Sequence, residues 1–142
     1  MTIAMILNAK GRDVVTLSHD ARVADAVALL AERGIGAMPV MDGDAVVGIF
    51  SERDVIRILS DRGEGALDVP ISTVMTAPAL TVSCDEPVLG ALSVMTHRRV
   101  RHLPVVDAGR LVGLVSIGDL VKYRIDRIEA EAAALRDYIQ QA

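Results

Sequence analysis

The segment AMPVMDGDAVVGIFSERD, residues 37–54, returns 65 residues later as HLPVVDAGRLVGLVSIGD, residues 102–119. Pro39, Val40, Asp42, Val47, Gly48, Ser51 and Asp54 fall without a gap on Pro104, Val105, Asp107, Val112, Gly113, Ser116 and Asp119. Self-similarity at a fixed offset marks a repeat architecture and takes precedence over local readings. Working outward, the same offset sets Thr16, Ser18, Asp20, Val23, Ala26 and Arg33 on Thr81, Ser83, Asp85, Val88, Ala91 and Arg98. Chance does not give so many identities at one shift, so the chain is two copies of one unit.

Each copy opens with a short β-branched run, Val14 to Leu17 or Leu80 to Val82, followed by a Ser and an Asp suited to cap a helix. Val23, Ala26, Val27 and Leu30, matched by Val88, Ala91, Leu92 and Met95, form the i, i+3, i+4, i+7 stripe of a helix with one buried face. Pro87 fits the first turn of the second such helix, and Gly34 fits a left-handed C-cap of the first. The second copy puts Arg99 where Gly34 stands, which implies a task for Arg99 or a different helix end. Two apolar runs follow in each copy, joined by Asp42-Gly43-Asp44 or Asp107-Ala108-Gly109 as hairpin turns. A second helix is expected after Ser51 and after Ser116. The fold class is therefore α+β, built as β-α-β-β-α twice over. Residues 1–65 make the first repeat with its leader and the Gly-rich linker Asp61 to Gly65, residues 66–121 the second, and residues 122–142 a helical tail.

Composition narrows the function. The chain has 142 residues, 51% apolar and 24% charged, with a formal net charge of −4, so it can bury a core and has no general attraction for nucleic acid or an anionic membrane. No apolar stretch approaches the roughly 20 residues of a bilayer span, and residues 1–7 are too short for a signal peptide, so a cytoplasmic protein is expected. Phe50, Tyr123 and Tyr138 are the only aromatics, too few for single-strand stacking platforms. Cys84 is alone, and His19, His97 and His102 lack metal-ligand spacing, so neither a disulfide framework nor a metal site is expected. No nucleophile elbow, P-loop or carboxylate dyad is visible, and the chain is read as a non-enzyme without a catalytic cofactor.

Val74-Met75-Thr76, Leu80-Thr81-Val82, Leu103-Pro104-Val105-Val106-Asp107, Leu111-Val112-Gly113 and Ser116-Ile117-Gly118-Asp119 together resemble the CBS domains, which occur in tandem pairs called Bateman modules. The first copy is similar through Met38-Pro39-Val40-Met41-Asp42, Val46-Val47-Gly48 and Ser51-Glu52-Arg53-Asp54, but lacks the Met-Thr start. The resemblance covers nearly the whole chain. Its leader, with Lys10-Gly11, looks like that of stand-alone pairs, with no catalytic or transport domain attached.

Alone, Ser-x-x-Asp at a strand-to-helix junction reads first as a capping box. It also has a ligand reading, because a carboxylate accepts from ribose hydroxyls while a seryl hydroxyl and helix N-terminal amides meet phosphate. Resemblance to the family favours the second, with Ser51, Asp54, Ser116 and Asp119 in that role. The cluster Arg98, Arg99, Arg101 and His102 supplies local positive charge, and a guanidinium grips phosphate bidentately, which ranks Arg101 above His102. Arg98 is read as solvated. Arg53 and Lys10 are further phosphate candidates. The first copy has uncharged Gly36-Ala37-Met38 at the same place, so the two sites are not equivalent, and the cleft that Arg101 serves stays open. By resemblance, adenine lies against Thr16 and Ile35 in one copy and Pro78, Thr81 and Val100 in the other, with Gly36 a further nucleotide-binding candidate.

The tail carries Val121, Ile125, Ile128, Ala132, Leu135 and Ile139 at alternating spacings of four and three, a narrow seam suited to a partner helix, so a homodimer is expected. The resemblance implies a regulatory module that senses AMP, ADP, ATP or NAD(H) and signals to an unidentified client. Two readings stand beside it: a structural adaptor that dimerises and binds nothing, and a regulator that binds S-adenosylmethionine.

Overall fold

The computed structural model describes residues 1–141. Helix α1 (Ile3–Lys10) leads into strand β1 (Leu17–Ser18), helix α2 (Val23–Arg33), the hairpin β2 (Ala37–Asp42) and β3 (Ala45–Ser51), and helix α3 (Glu52–Arg62). Two 3₁₀ turns, Gly63–Asp68 and Ile71–Thr73, connect to helix α4 (Val88–Arg98), the hairpin β4 (His102–Asp107) and β5 (Arg110–Ser116), and helix α5 (Ile117–Gln141). The fold is α+β, with one sheet per repeat, ordered β1-β2-β3 and β4-β5. No helix of the described residues is long and apolar enough to cross a membrane.

The first strand of each repeat is shorter than its β-branched run implies. In the first, only Leu17 and Ser18 pair, parallel to Val40 and Met41; in the second, pairing shrinks to one bridge between Val82 and Val105. The cause lies in the partner strand: continuing either ladder upstream would set Thr16 against Pro39 or Thr81 against Pro104, and proline has no N–H to donate. The first helices also start later than expected. Ser18 to Ala21 forms a turn instead, and Asp25 accepts from the Arg22 amide at 3.0 Å to close the start of α2. Asp61 and Arg62, expected in the linker, lie in α3.

Both hairpins have two-residue turns, Gly43-Asp44 and Ala108-Gly109, between the paired ends Asp42 with Ala45 and Asp107 with Arg110. Both carry a register shift at the same place, between Val40 and Met41 and between Val105 and Val106. Such a bulge bends the strand and increases its twist. Gly34 (φ 62°) and Arg99 (φ 55°) are both left-handed C-caps. The second helix thus ends where the first does, with an arginine held in a conformation that suits glycine.

The lead-ins are exchanged between the repeats. Ile3, Ile6 and Leu7 of α1, which precede the first repeat, are buried in the second core with Val88, Ala91, Met95, Leu103, Val115 and Leu120. Conversely, Ile71, Val74 and Met75, which precede the second repeat, pack into the first core around Met38, Val40, Phe50 and Ile58. Thr76 closes a bridge to Ile49, with amide-to-carbonyl distances of 2.9 and 3.0 Å. The repeated glycines make room for this crossing. A Cβ on Gly48 would stand 2.6 Å from the Met75 sulfur and 2.9 Å from the Thr76 carbonyl oxygen, and one on Gly113 would stand 2.6 Å from Leu7 Cδ2.

These contacts predict unequal effects from one substitution. Gly48→Ala meets a backbone carbonyl and should cost about 1–3 kcal/mol, the usual range for overpacking. Gly113→Ala meets the tip of a leucine that can turn away, and should cost less. Urea unfolding of both variants against the parent checks the order.

Candidate functional site

Each Ser-x-x-Asp segment sits where a hairpin strand gives way to a helix, and each faces the other repeat across a cleft. The first cleft, roughly 390 Å³, has Ser51, Arg53 and Asp54 on one side and Arg99, Val100, Arg101 and His102 on the other, with Ile49, Glu52, Thr76, Gly36 and Ala37 completing its walls. The second, roughly 250 Å³, has Ser116 and Asp119 facing Ile35, Gly36 and Ala37, with Lys10, Asp13, Val14, Val15, His102 and Leu114 around them. Gly36, Ala37 and His102 border both.

The two aspartates are engaged differently. Asp54 is only 6% exposed. Its Oδ2 accepts from the Ser51 amide (2.9 Å) and hydroxyl (3.3 Å), and its Oδ1 from Arg57 (3.0 Å) and the Thr76 hydroxyl (3.1 Å). Arg57 also donates to the Val74 carbonyl at 2.8 Å, so Asp54 ties the start of α3 to the exchanged lead-in. Both of its oxygens are already taken. Asp119 is more open, its side chain 28% exposed. Its Oδ2 accepts from the Ser116 amide (2.9 Å) and from Lys10 (2.6 Å), while the Ser116 hydroxyl accepts from the Asp119 amide (3.1 Å). Its Oδ1 accepts no protein hydrogen bond among the described residues and is available to a ligand. Burial pushes the Asp119 carboxyl up, but the Lys10 ammonium and the Ser116 amide together hold it below its ordinary value.

Charge differs as well. The Asp54 cleft is lined by three arginines, Arg53, Arg99 and Arg101, and by exposed Glu52. Arg53 donates to the Arg99 carbonyl at 3.1 Å, which bridges α3 of one repeat to the cap of α4 in the other. The Asp119 cleft carries Lys10, which also donates to the Leu114 carbonyl at 2.9 Å, against Asp13 and Asp119. Between them, burial lowers the His102 pKa below its ordinary value; nearby Asp119 and Glu52 oppose the shift, and Lys10 and Arg101 add to it.

Of the residues singled out by sequence, Ser51, Arg53, Asp54, Arg99, Val100 and Arg101 border the first cleft, Lys10, Ile35, Ser116 and Asp119 the second, and Gly36 and His102 both. Arg101 shares its cleft with Asp54 and not with Asp119. Thr16, Thr81 and Pro78 are exposed and line neither cleft. For the threonines the reason is strand alternation, which turns Leu17 and Val82 inward and their predecessors out. Sequence reasoning missed Thr76, Arg57 and Asp13. The spacing of Asp54 and Arg57 on one helix face was a readable signal for the second of these.

Two gapless repeats with exchanged lead-ins and a pair of clefts at their junction define a tandem-repeat module in which each cleft is built from both halves. A family model described as CBS domain matches residues 10–61 and 71–126, and the chain belongs to that family as a tandem pair. The structure of a CBS-domain containing protein from Agrobacterium tumefaciens is similar, with a TM-score of 0.84 at 37% identity over 87% of this chain and 99% of that one. A CBS domain protein from Pyrobaculum aerophilum, solved in complex with AMP, has a TM-score of 0.75 at 29% identity over 84% and 89% of the two chains. The CBS domain pair of a protein solved in complex with 5′-methylthioadenosine and S-adenosyl-L-methionine has a TM-score of 0.77 at 25% identity over 87% and 98%.

The half-buried imidazole of His102 sets a pH dependence. The unfolded chain takes up a proton on His102 near the ordinary value of 6.5, whereas the folded chain resists it, so stability contributed by neutral His102 is present above that pH and declines as pH falls through it. His102→Gln should therefore flatten the stability profile between about pH 7 and pH 5. Denaturant midpoints of parent and variant across that window give the comparison.

Proposed function

We propose that this CBS pair is a regulatory module, not an enzyme, that binds an adenosine-bearing anion such as AMP, ADP, ATP or NAD(H) in the Asp54 cleft and passes the occupancy to a client protein. One observation carries the reading: three arginines, Arg53 on one wall and Arg99 and Arg101 on the other, line a cleft that both repeats build at a strand-to-helix junction. Guanidinium groups in such a place suit phosphate, which they bind bidentately at any physiological pH. The AMP-bound relative from Pyrobaculum aerophilum supports the ligand class. Because Asp54 is saturated, ribose recognition there requires a ribose hydroxyl to replace Thr76 as the donor to Oδ1.

A second reading belongs to the other cleft. With Asp13 and Asp119 set against one lysine, it suits an adenosyl ligand without net negative charge, and the free Asp119 Oδ1 is placed to accept from ribose. The relative bound to methylthioadenosine and S-adenosylmethionine supports this class of occupant.

Arg101→Ala should weaken AMP by roughly one to two decades, the loss of a hydrogen bond to a charged group, and leave adenosine nearly unchanged. Asp119→Ala should leave AMP affinity in the Asp54 cleft intact and reduce binding of S-adenosylmethionine. Calorimetric titrations of both variants with the three ligands separate the clefts. Equal losses for AMP and adenosine in Arg101→Ala would put the phosphate elsewhere. If none of the nucleotides or S-adenosylmethionine moves the melting curve at millimolar concentration, where any native-state ligand must stabilise by mass action, the adaptor reading replaces this one.

A further inference from the structure

Helix α5 runs for 25 residues, but only its first turns belong to the second core, through Ile117, Leu120 and Tyr123. From Arg124 to Gln141 it continues for about 27 Å at 1.5 Å per residue. The seam Val121, Ile125, Ile128, Ala132, Leu135 and Ile139 stays exposed along it, with the five large side chains 43% to 62% accessible. A 4-3 alternation held over six positions is the pattern of a coiled-coil core, with Ile125, Ala132 and Ile139 at a and Val121, Ile128 and Leu135 at d. Flanking charges then fall into place. Arg124 and Glu131 occupy g, while Lys122, Glu129 and Arg136 occupy e.

We propose that α5 pairs with α5 of a second copy of this chain as a parallel, in-register two-stranded coil. In a parallel pair each g residue faces the e residue five positions on in the partner helix. Arg124 therefore meets the partner's Glu129, and Glu131 meets the partner's Arg136, twice each by symmetry, so all four contacts join opposite charges. The antiparallel pair that aligns the whole seam sets e against e and g against g. It would place Glu129 and Glu131 each against its own copy and Lys122 against Arg136, all repulsive. Within one chain Glu131 already has a weak contact with Arg127 at 3.4 Å, an exposed pair that is readily given up. Charge pattern thus selects both the occupant, which is self-complementary, and its direction.

Sedimentation velocity of the full chain over a range of concentration should show a dimer. Ile128→Glu, at a half-exposed position, should give a monomer that still melts cooperatively, at a temperature that no longer rises with protein concentration. Glu129→Arg sets arginine against the partner's Arg124 and should raise the dimer Kd at least about tenfold, and adding Arg124→Glu should restore it. Direction is read in a Cys84→Ser background: Ile139→Cys should form an intermolecular disulfide under mild oxidation, since residue 139 meets its own counterpart only in the parallel pair, and an antiparallel pair would separate the two thiols by about 27 Å. A monomer at every concentration, a dimer that survives Ile128→Glu, a double variant no tighter than Glu129→Arg, or no disulfide at Ile139→Cys would each overturn the proposal.

Discussion

The exchange of lead-ins between the repeats is the constraint on which the rest of the molecule depends. Helix α1 lies in the second core and the Ile71–Met75 segment in the first, so neither repeat has a complete apolar interior without a piece of chain assigned by order to the other. The two hairpins make room for the exchange by presenting a glycine at the crossing, Gly48 under Met75 and Thr76, and Gly113 under Leu7. A close approach of backbone to a packed segment is one of the few places where no side chain fits. Once the repeats interlock in this way, the strand-to-helix junction of each is held against the segment that leads into the hairpin of the other, Arg99 to His102 or Ile35 to Ala37. The clefts are a consequence of that arrangement.

One motif serves two purposes in this framework. Ser51–Asp54 and Ser116–Asp119 make the same capping contact, with the aspartate accepting from the seryl amide at 2.9 Å in both. What surrounds them differs. Arg57 and Thr76 saturate Asp54 and make it a bolt between α3 and the exchanged segment, whereas Lys10 occupies one oxygen of Asp119 and leaves the other open. Guanidinium groups compensate on the other side: the cleft with the closed carboxylate has three arginines, and the cleft with the open one has none. Duplicated scaffolds with divergent walls can accept different ligands, since specificity comes from the charges and hydrogen-bond partners placed on the fold and not from the fold itself.

Much of the architecture was legible in the residues. The 65-residue offset, the two stripes, the hairpin turns and the long last helix all appear where their patterns place them, because each rests on local periodicity or turn chemistry. Legibility ended where the third dimension intervened. Val14 to Thr16 have the β-branched character of a strand, yet Pro39 opposite offers no N–H and the ladder stops at Leu17. The chain order of α1 gave no hint that it packs on the second repeat. For the site, the paired Asp54 and Asp119 and the Arg99–His102 cluster were visible, but their distribution between clefts was not, since that depends on which repeat faces which. Thr16, Thr81 and Pro78 came from family analogy and fall outside both clefts. Lys10, ranked low, proves to be the direct partner of Asp119.

The central claim is that an adenosine-bearing anion occupies the arginine-lined cleft between the repeats. Amide chemical-shift mapping of the isotope-labelled chain during titration with AMP tests it most directly, because it locates the ligand residue by residue without any substitution. The account predicts the largest shifts at Gly36, Ser51 to Asp54, Thr76 and Arg99 to His102, with smaller changes at Ser116 and Asp119. Shifts centred on Lys10, Ile35, Ser116 and Asp119 instead, or no shifts at saturating AMP, would contradict it.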